Sequence, residues 1–210
     1  MNYKSLMRKV DRLPCFTTRF LAAGENLTQI RLQLARWVKD GRVVRIHKGV
    51  YTLAEPYRKV KPDLLVVANT VKTPSYVSLH TALSWHGMIP EQVKVVTSVT
   101  TGRPQEMETP LGRFAYRHVH LGVFEGYRRV ALGDQATALL ARPEKALLDL
   151  VYLTPGGDKR EFLAELRLQN LTLLDKKLLE RYAGHFPGDK MNRAVGVIKE
   201  MIDEGEGEEL

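Results

Sequence analysis

The strongest constraint on the fold is an amphipathic pattern at residues 26–41, followed at once by a hairpin pattern. In LTQIRLQLARWVKD, apolar side chains recur at the spacing of a helix buried on one side: Leu27, Ile30, Leu34, Trp37 and Val38. Asn26 suits the N-cap, and Gly41 suits the position just after the C-terminus. The segment predicts one well-defined helix.

Two shorter helical patterns precede this helix. Residues 5–12 predict a helix that is ended by Pro14. Residues 17–23 predict a second helix, which Thr17 or Thr18 can cap and Gly24 can end. The helix at 26–41 is therefore the third of three.

The third helix is followed by RVVRIHKGVYTLA, which is rich in strand-forming residues. His47, Lys48 and Gly49 interrupt these residues, and Gly49 can supply the positive φ of a tight turn. Three helices and a hairpin within 55 residues are the order of elements in a winged helix-turn-helix domain, whose third helix enters the DNA major groove. Arg42, Arg45, His47 and Lys48 are expected to cluster at the turn.

The charge is distributed unevenly along the 210 residues. The net charge is +8, yet residues 1–61 contain 14 Lys/Arg and 4 Asp/Glu, and the remaining residues carry a small net negative charge. Such asymmetry indicates that the N-terminal part binds a polyanion.

The helix face opposite the apolar stripe carries the chemistry for reading DNA. Glutamine pairs with adenine, arginine pairs with guanine, and lysine contacts phosphate. We expect the bases to be read by Thr28, Gln29, Leu32, Gln33 and Arg36. We expect the DNA backbone or groove to be contacted by Arg31, Lys39, Arg45, His47 and Lys48. Leu32 has two interpretations: it touches a thymine methyl group, or it packs on a neighbouring helix or domain.

The composition shifts after the hairpin, and we predict an α+β fold class with two domains. The expected parts are a winged helix-turn-helix domain at 1–55, a linker at 56–62, an α+β domain at 63–202 with a helical C-terminal part, and an acidic disordered tail at 203–210. The α+β domain is expected to contain helices at 63–72, 75–87, 137–153, 159–168, 172–185 and 190–202, and strands at 92–100, 111–119 and 123–131.

No pattern of residues predicts catalysis, a cofactor or a metal site. The chain lacks Walker A, GxGxxG, GxSxG and HExxH motifs. His118 and His120 alternate on one expected strand, but a third metal ligand is not evident. Glu144 and Lys145 with Asp134 or Asp149 form at most a fragment of a metal-dependent nuclease, and Glu144 simply suits a helix N-terminus.

The single cysteine, Cys15, is expected in the core and cannot form an internal disulfide. No apolar run reaches the ~20 residues of a membrane helix, and the first residues lack the apolar stretch of a signal peptide. These features predict a cytoplasmic, unprocessed protein.

Three segments resemble one family: VKDGRVVRIHKGVYTLA at 38–54, PSYVSLHTALSWHGMIP at 74–90 and ARPEKALLDLVYL at 141–153. They are similar to AbiEi-type antitoxins of type IV toxin–antitoxin systems, which are also described as transcriptional regulators of viral defence. The resemblance implies a winged helix that binds inverted repeats in its own promoter and represses it. It also implies a second domain that counteracts a cognate nucleotidyltransferase toxin, in phage defence, without requiring stable contact.

The function and one set of basic residues each have two interpretations. The alternative function is an interaction module that binds an acidic protein or RNA without operator specificity. RNA-binding domains usually present aromatic platforms, whereas Phe20 and Trp37 are expected in the core. In the second domain, a basic set is either a surface for the toxin or its target or an ordinary solvated face: Arg103, Arg113, Arg117 and Lys145.

Overall fold

The computed structural model describes residues 1–133 and 136–208. Its N-terminal region contains α1 (Tyr3–Val10), β1 (Phe16–Thr17), α2 (Thr18–Leu21), α3 (Leu27–Lys39), β2 (Val43–His47) and β3 (Val50–Leu53). The strands form one antiparallel sheet in the order β1-β3-β2. This arrangement is the predicted winged helix-turn-helix, with β2 and β3 as the wing; β1, which was not predicted, adds a third strand.

The core of this region is built from the inner faces of its helices and its sheet. Leu6 of α1, Leu21 of α2 and Leu34 of α3 are fully buried, and Trp37 is almost fully buried. Phe20 was predicted to join this core, but its side chain is 50% exposed. The reason is the length of α2: in a single turn, Thr18 and Leu21 occupy the inner side.

The second region is a six-stranded mixed sheet with helices. It contains α4 (Leu64–Val71), β4 (Ser75–Val77), α5 (Leu79–Trp85), β5 (Val95–Thr100), β6 (Gln105–Thr109), β7 (Gly112–His118), β8 (Tyr127–Ala131), β9 (Thr137–Ala141), α6 (Pro143–Leu153), α7 (Arg160–Glu165), α8 (Lys176–Ala183) and α9 (Lys190–Glu208). The strand order is β6-β7-β5-β4-β9-β8.

Helices cover this sheet on both faces. The Tyr116 hydroxyl of β7 donates to the Ala68 carbonyl of α4, whereas Tyr76 of β4 reaches Asp149 of α6. The pairing of Ser98 with both Val77 and Tyr116 places Tyr116 on the face opposite Tyr76. The α+β fold class is therefore as expected, with α4 and α6 on opposite sides of the sheet.

Three predictions of secondary structure in this region are wrong. Residues 75–77 form the central strand β4 rather than the start of a helix, and residues 137–141 form β9 rather than a helical turn before Pro143. Both strands are short and mostly buried. A short run of apolar residues looks the same in a buried strand and in a buried helix, so periodicity alone does not distinguish the two. The edge strand β6, which was not predicted, is a polar sequence that pairs with β7.

The segments predicted as linker and tail also have defined positions. Residues 56–62 contain no helix or strand, and they lie against the winged helix through the ion pair of Lys59 with Asp11 and the ring contact of Tyr57 with Tyr3. Helix α9 continues to Glu208, and its Asp203 and Glu204 form ion pairs with Lys176 and Arg160. Most of the predicted tail is thus helical here, and residues 209–210 lie outside the described residues.

Candidate nucleic-acid interface

Helix α3 is fixed in place by its cap and by its buried stripe. The Asn26 carboxamide oxygen accepts hydrogen bonds from the backbone N–H groups of Thr28 (2.9 Å) and Gln29 (3.2 Å), as predicted for the N-cap. Ile30, Leu34 and Trp37 are buried against the domain core. Gly41, with φ +69°, turns the chain away after the helix. The orientation of the opposite face is therefore determined.

The opposite face of α3 is exposed to solvent. Its predicted DNA-reading residues are exposed, apart from the half-buried Gln33: Thr28, Gln29, Arg31, Leu32, Arg36 and Lys39. Leu32 is 58% exposed, so the interpretation that it packs on a neighbouring part of this chain is wrong. An apolar side chain that remains exposed on this face is available for contact with a partner.

The wing tip is anchored to the start of α2. Gly49 adopts φ +79°, which favours glycine, and its carbonyl accepts the backbone N–H of Thr18 at 2.9 Å. Arg45 and Lys48 are exposed, and His47 is half-buried. Burial lowers the pKa of His47, and the charges of Arg45, Lys48 and Lys72 lower it further.

Arg42 does not join this cluster. It lies at the base of the hairpin, where its backbone N–H donates to the Trp37 carbonyl and its carbonyl accepts from Ala54. Its guanidinium lies 5.0 Å from the centroid of the Tyr3 ring. The prediction that Arg42 would stand at the turn is therefore wrong, because the turn is at the other end of the two strands.

The basic side chains of the interface lack carboxylate partners. Within residues 1–133 and 136–208, no ion pair includes Arg31, Arg36, Lys39, Arg45 or Lys48. In the second region, by contrast, Arg113 pairs with Glu108 and Arg117 pairs with Glu106. Unpaired cations on an exposed surface are the expected footprint for a polyanion.

The structure adds one element that the sequence did not single out. Helix α2 contacts α3, and its outer side chains Arg19 and Phe20 are exposed beside the reading helix. Arg19 could have been found from the sequence, because it follows directly on Thr18, the first residue of the helix that Thr17 is predicted to cap.

The possible nuclease fragment does not form a solvent-facing site. Lys145 and Asp149 are fully buried and form an ion pair with each other, so neither side chain is available to hold a metal ion at the surface. One Glu144 oxygen accepts the Asp175 backbone N–H at 2.9 Å, and the other is buried with no partner among the described residues. Asp134 lies outside the described residues.

The histidines are not assembled into a metal centre. The His118 Nδ1–H donates a hydrogen bond to the Gly102 carbonyl oxygen at 3.0 Å, and the His120 side chain caps a 3-10 turn. The described part of the chain contains no group of three or more His, Cys, Asp or Glu side chains placed to hold a metal ion. In the same part, no helix is both long enough and apolar enough to cross a membrane.

The basic set noted in the second domain is not one surface. Arg113 and Arg117 are exposed but engaged by carboxylates of β6, and Lys145 is buried. Arg103 is exposed and belongs to no ion pair within the described ranges.

A comparison with protein families identifies the N-terminal domain. Residues 6–54, about a quarter of the chain, match the family model described as transcriptional regulator, AbiEi antitoxin. A search of curated proteins finds no match to the chain. The description is that of a transcriptional regulator, and the matched residues span most of α1 and all of α2, α3 and the wing. The match confirms the resemblance for residues 6–54, which include the first of the three segments: this part of the chain is similar to transcriptional regulators described as AbiEi antitoxins.

Proposed function

We propose that this protein is a DNA-binding regulator that represses its own promoter and acts as the antitoxin to a nucleotidyltransferase toxin in a type IV toxin–antitoxin system. DNA binding is supported by one observation above all: the cations on the exposed face of α3 and on the wing have no carboxylate partner among the described residues. The family match supports the regulatory part.

The roles divide between the two elements. Helix α3 would enter the major groove, with Thr28, Gln29, Leu32, Gln33 and Arg36 at base edges and Arg31 and Lys39 at the backbone. The wing would place Arg45, His47 and Lys48 at the adjacent phosphates or in the minor groove. Binding to inverted repeats requires two copies of the winged helix, either as a dimer or as monomers side by side.

Two variants of α3 test these roles. Arg36→Ala should lower the preference for operator over shuffled DNA by about 1–3 kcal/mol, because a bidentate arginine–guanine pair is lost. Lys39→Ala should weaken binding to both DNAs equally and reduce the salt dependence. Fluorescence anisotropy on the region upstream of the gene measures both effects. Equal losses on the two DNAs for Arg36→Ala would contradict the assignment of Arg36 to base reading.

The antitoxin part rests on the family and is assigned to the second domain. Co-expression with a nucleotidyltransferase encoded beside this gene should restore growth that the enzyme alone inhibits. Because antitoxicity in these systems need not involve stable contact, the two proteins are expected to elute separately in size-exclusion chromatography. Growth inhibition that persists with the full-length protein would contradict the antitoxin assignment.

The proposed function assigns the protein to the cytoplasm and gives it no catalytic role, cofactor or metal. The alternative is an interaction module that binds RNA or an acidic protein. Equal affinity for upstream DNA, unrelated DNA and single-stranded RNA of the same length would favour that alternative. The exposed Phe20 is the residue to test in that case, since stacking on an aromatic ring is typical of RNA recognition.

A further inference from the structure

A cavity lies between the segment that joins the two regions and two turns of the six-stranded sheet. Its volume is about 640 Å³, which is within the ~300–1,000 Å³ of typical small-molecule sites. Residues of the segment 58–64 form one wall, whereas Leu111, Leu132 and Ala136 form the other. Leu111 lies in the turn between β6 and β7, and the other two lie in the turn between β8 and β9. The cavity is therefore separate from the DNA-reading face of α3.

The wall formed by the joining segment is held at both ends. Lys59 forms an ion pair with Asp11 of the winged helix at 2.7 Å. At the other end, the Asp63 carboxylate accepts the backbone N–H of Leu65 at 2.8 Å and so caps α4. The segment is thus fixed to the winged helix on one side and to the second domain on the other.

The opposite wall is held by hydrogen bonds within its two turns. The Leu111 N–H donates to the Thr109 hydroxyl at 3.1 Å, and the Leu132 N–H donates to the Ala136 carbonyl at 2.9 Å. Because contacts within the chain hold both walls, the cavity exists before a ligand binds. A preformed site spares the ligand the cost of ordering the protein around it.

The polar part of the lining favours an anion. The Arg58 side chain is only 18% exposed, and its Nη2 donates to Glu55. Its Nε and Nη1 have no hydrogen-bond partner within residues 1–133 and 136–208. Lys61 is exposed and forms no ion pair within the same ranges. Asp63, the acidic residue of the lining, has one carboxylate oxygen engaged at the N-terminus of α4, where the helix dipole balances its charge.

The rest of the lining is apolar and consists of Val60, Pro62, Leu64, Leu111, Leu132 and Ala136. Leu64 is 37% exposed, which leaves apolar surface that a ligand can remove from water. Because Lys61 and Leu64 both reach solvent, a molecule can enter the cavity without rearrangement of the chain. The lining therefore combines a cationic part with a larger apolar part.

We propose that this cavity binds a small organic anion, which carries one carboxylate, sulfonate or phosphate group on an apolar ring system or chain. Arg58 and Lys61 bind the anionic group, and the leucines of the lining contact the apolar body. The site goes beyond the proposed function, because it uses none of the residues assigned to DNA. Its occupant contacts the joining segment and the second domain at the same time.

The probe is 1-anilinonaphthalene-8-sulfonate, whose fluorescence rises when it leaves water. We expect one molecule to bind per full-length chain, with a Kd on the order of 10⁻⁵–10⁻⁴ M. N-phenyl-1-naphthylamine has the same rings without the sulfonate, and it should bind at least about 10-fold more weakly because it makes no charge-assisted hydrogen bond. Inorganic sulfate, which lacks the apolar body, should not displace the probe at millimolar concentration.

Three variants of the lining test the assignment of its residues. Arg58→Gln should weaken probe binding at least about 10-fold, because a charge-assisted hydrogen bond is lost from a largely buried side chain. Lys61→Gln should weaken it about 3-fold, since this cation is exposed. Leu64→Trp should weaken it at least about 10-fold, because the indole occupies the space that the ligand requires.

Two control variants make the same chemical changes away from the cavity. Lys94→Gln removes an exposed cation that forms no ion pair within the described ranges, and Leu121→Trp enlarges an apolar side chain that is 73% exposed. Both should bind the probe as the wild type does. Circular dichroism and thermal unfolding check that every variant is folded before its binding is measured.

Each result decides the proposal. Weaker binding in the three lining variants, with wild-type binding in the two controls, supports the site. No binding of the probe to the wild type, or equal binding by Arg58→Gln, Leu64→Trp and the wild type, overturns it. Equal affinity for the sulfonate and its uncharged analogue overturns the assignment to an anion. None of these outcomes depends on DNA binding, so the proposed function is tested separately.

Discussion

Replacement of Lys145 by methionine should destabilise this protein strongly, because it leaves a carboxylate in the core without its cation. The Lys145 ammonium donates to the Asp149 carboxylate and, at 2.8 Å, to the Tyr76 hydroxyl. The other Asp149 oxygen accepts from the Tyr76 hydroxyl at 3.0 Å and the Ser78 hydroxyl at 2.7 Å. All four residues are fully buried between β4 and α6.

The expected magnitude follows from this burial. Removal of one partner of a buried ion pair typically costs about 3–5 kcal/mol, since the remaining charge is uncompensated. For a chain of this size, about 2–4 °C in Tm accompanies each kcal/mol, so Lys145→Met should lower Tm by about 6–20 °C. The double variant Lys145→Met with Asp149→Asn should be more stable than Lys145→Met alone, because the amide keeps an acceptor for the two hydroxyls and carries no charge.

The loss of stability in Lys145→Met should also depend on pH. Burial raises the pKa of Asp149, against the lowering effect of Lys145 and of the hydrogen bonds from Ser78 and Tyr76. Without the Lys145 ammonium, the pKa of Asp149 in the folded protein rises further above its unfolded value. The stability of Lys145→Met is therefore retained at pH values below the pKa of Asp149 in the unfolded chain, and it is lost as the pH rises through the pKa of Asp149 in the folded protein. Lys145→Met should therefore lie closer to the wild type at pH 5 than at pH 7.

Urea unfolding at the two pH values measures these differences. Lys199→Met is the control, since Lys199 forms an exposed ion pair with Glu180 at 2.7 Å and its loss should cost less than about 1 kcal/mol. A Lys145→Met variant within about 1 kcal/mol of the wild type would contradict this expectation. A double variant whose loss of stability equals the separate losses of Lys145→Met and Asp149→Asn added together would also contradict it.

Two further predictions concern packing on Lys145 and proton binding at the wing. Gly126→Ala should cost about 1–3 kcal/mol more than Gly188→Ala in urea unfolding, because both glycines have positive φ but only at Gly126 would a Cβ lie within 2.9–3.1 Å of the Lys145 side chain; equal costs would contradict this close contact. DNA affinity should rise as the pH falls, because burial and neighbouring cations lower the pKa of His47 in the free protein and phosphates would raise it in the complex. This gain in DNA affinity is complete below the pKa that His47 has in the free protein, and it is lost as the pH rises through the pKa that His47 has in the complex. Anisotropy titrations should show that the gain is abolished in His47→Asn and kept in His185→Asn.

The winged helix could be predicted because its signals are local. The buried stripe of α3, the cap at Asn26 and the turn at Gly49 each act within a few residues. Ile30, Leu34 and Trp37 are buried as predicted, whereas Leu27, in the first turn of α3, is 40% exposed. Once the buried side of α3 is known, the geometry of a helix determines which side chains lie on its exposed face. Phe20 was misplaced because α2 is a single turn, too short for helical periodicity to separate its faces.

The second domain could be predicted less well because its structure depends on distant pairing. Residues 75–77 become a strand through their register with 98–100 and with Leu140, which no local pattern reveals. Lys145 and Asp149 satisfy the i, i+4 spacing of an exposed helical pair, and only tertiary packing shows that they are buried. The contact of Cys15 with Thr70 of α4 joins residues 55 positions apart, and it too depends on tertiary packing.

The most direct test of the account is a salt titration of the wild-type protein on two duplexes of equal length, one from upstream of its own gene and one with the same sequence shuffled. We expect the affinity for the upstream duplex to be at least about 10³-fold higher near physiological salt, and both affinities to fall steeply as the salt concentration increases. Equal affinities for the two duplexes, or binding that does not change with salt, would contradict it.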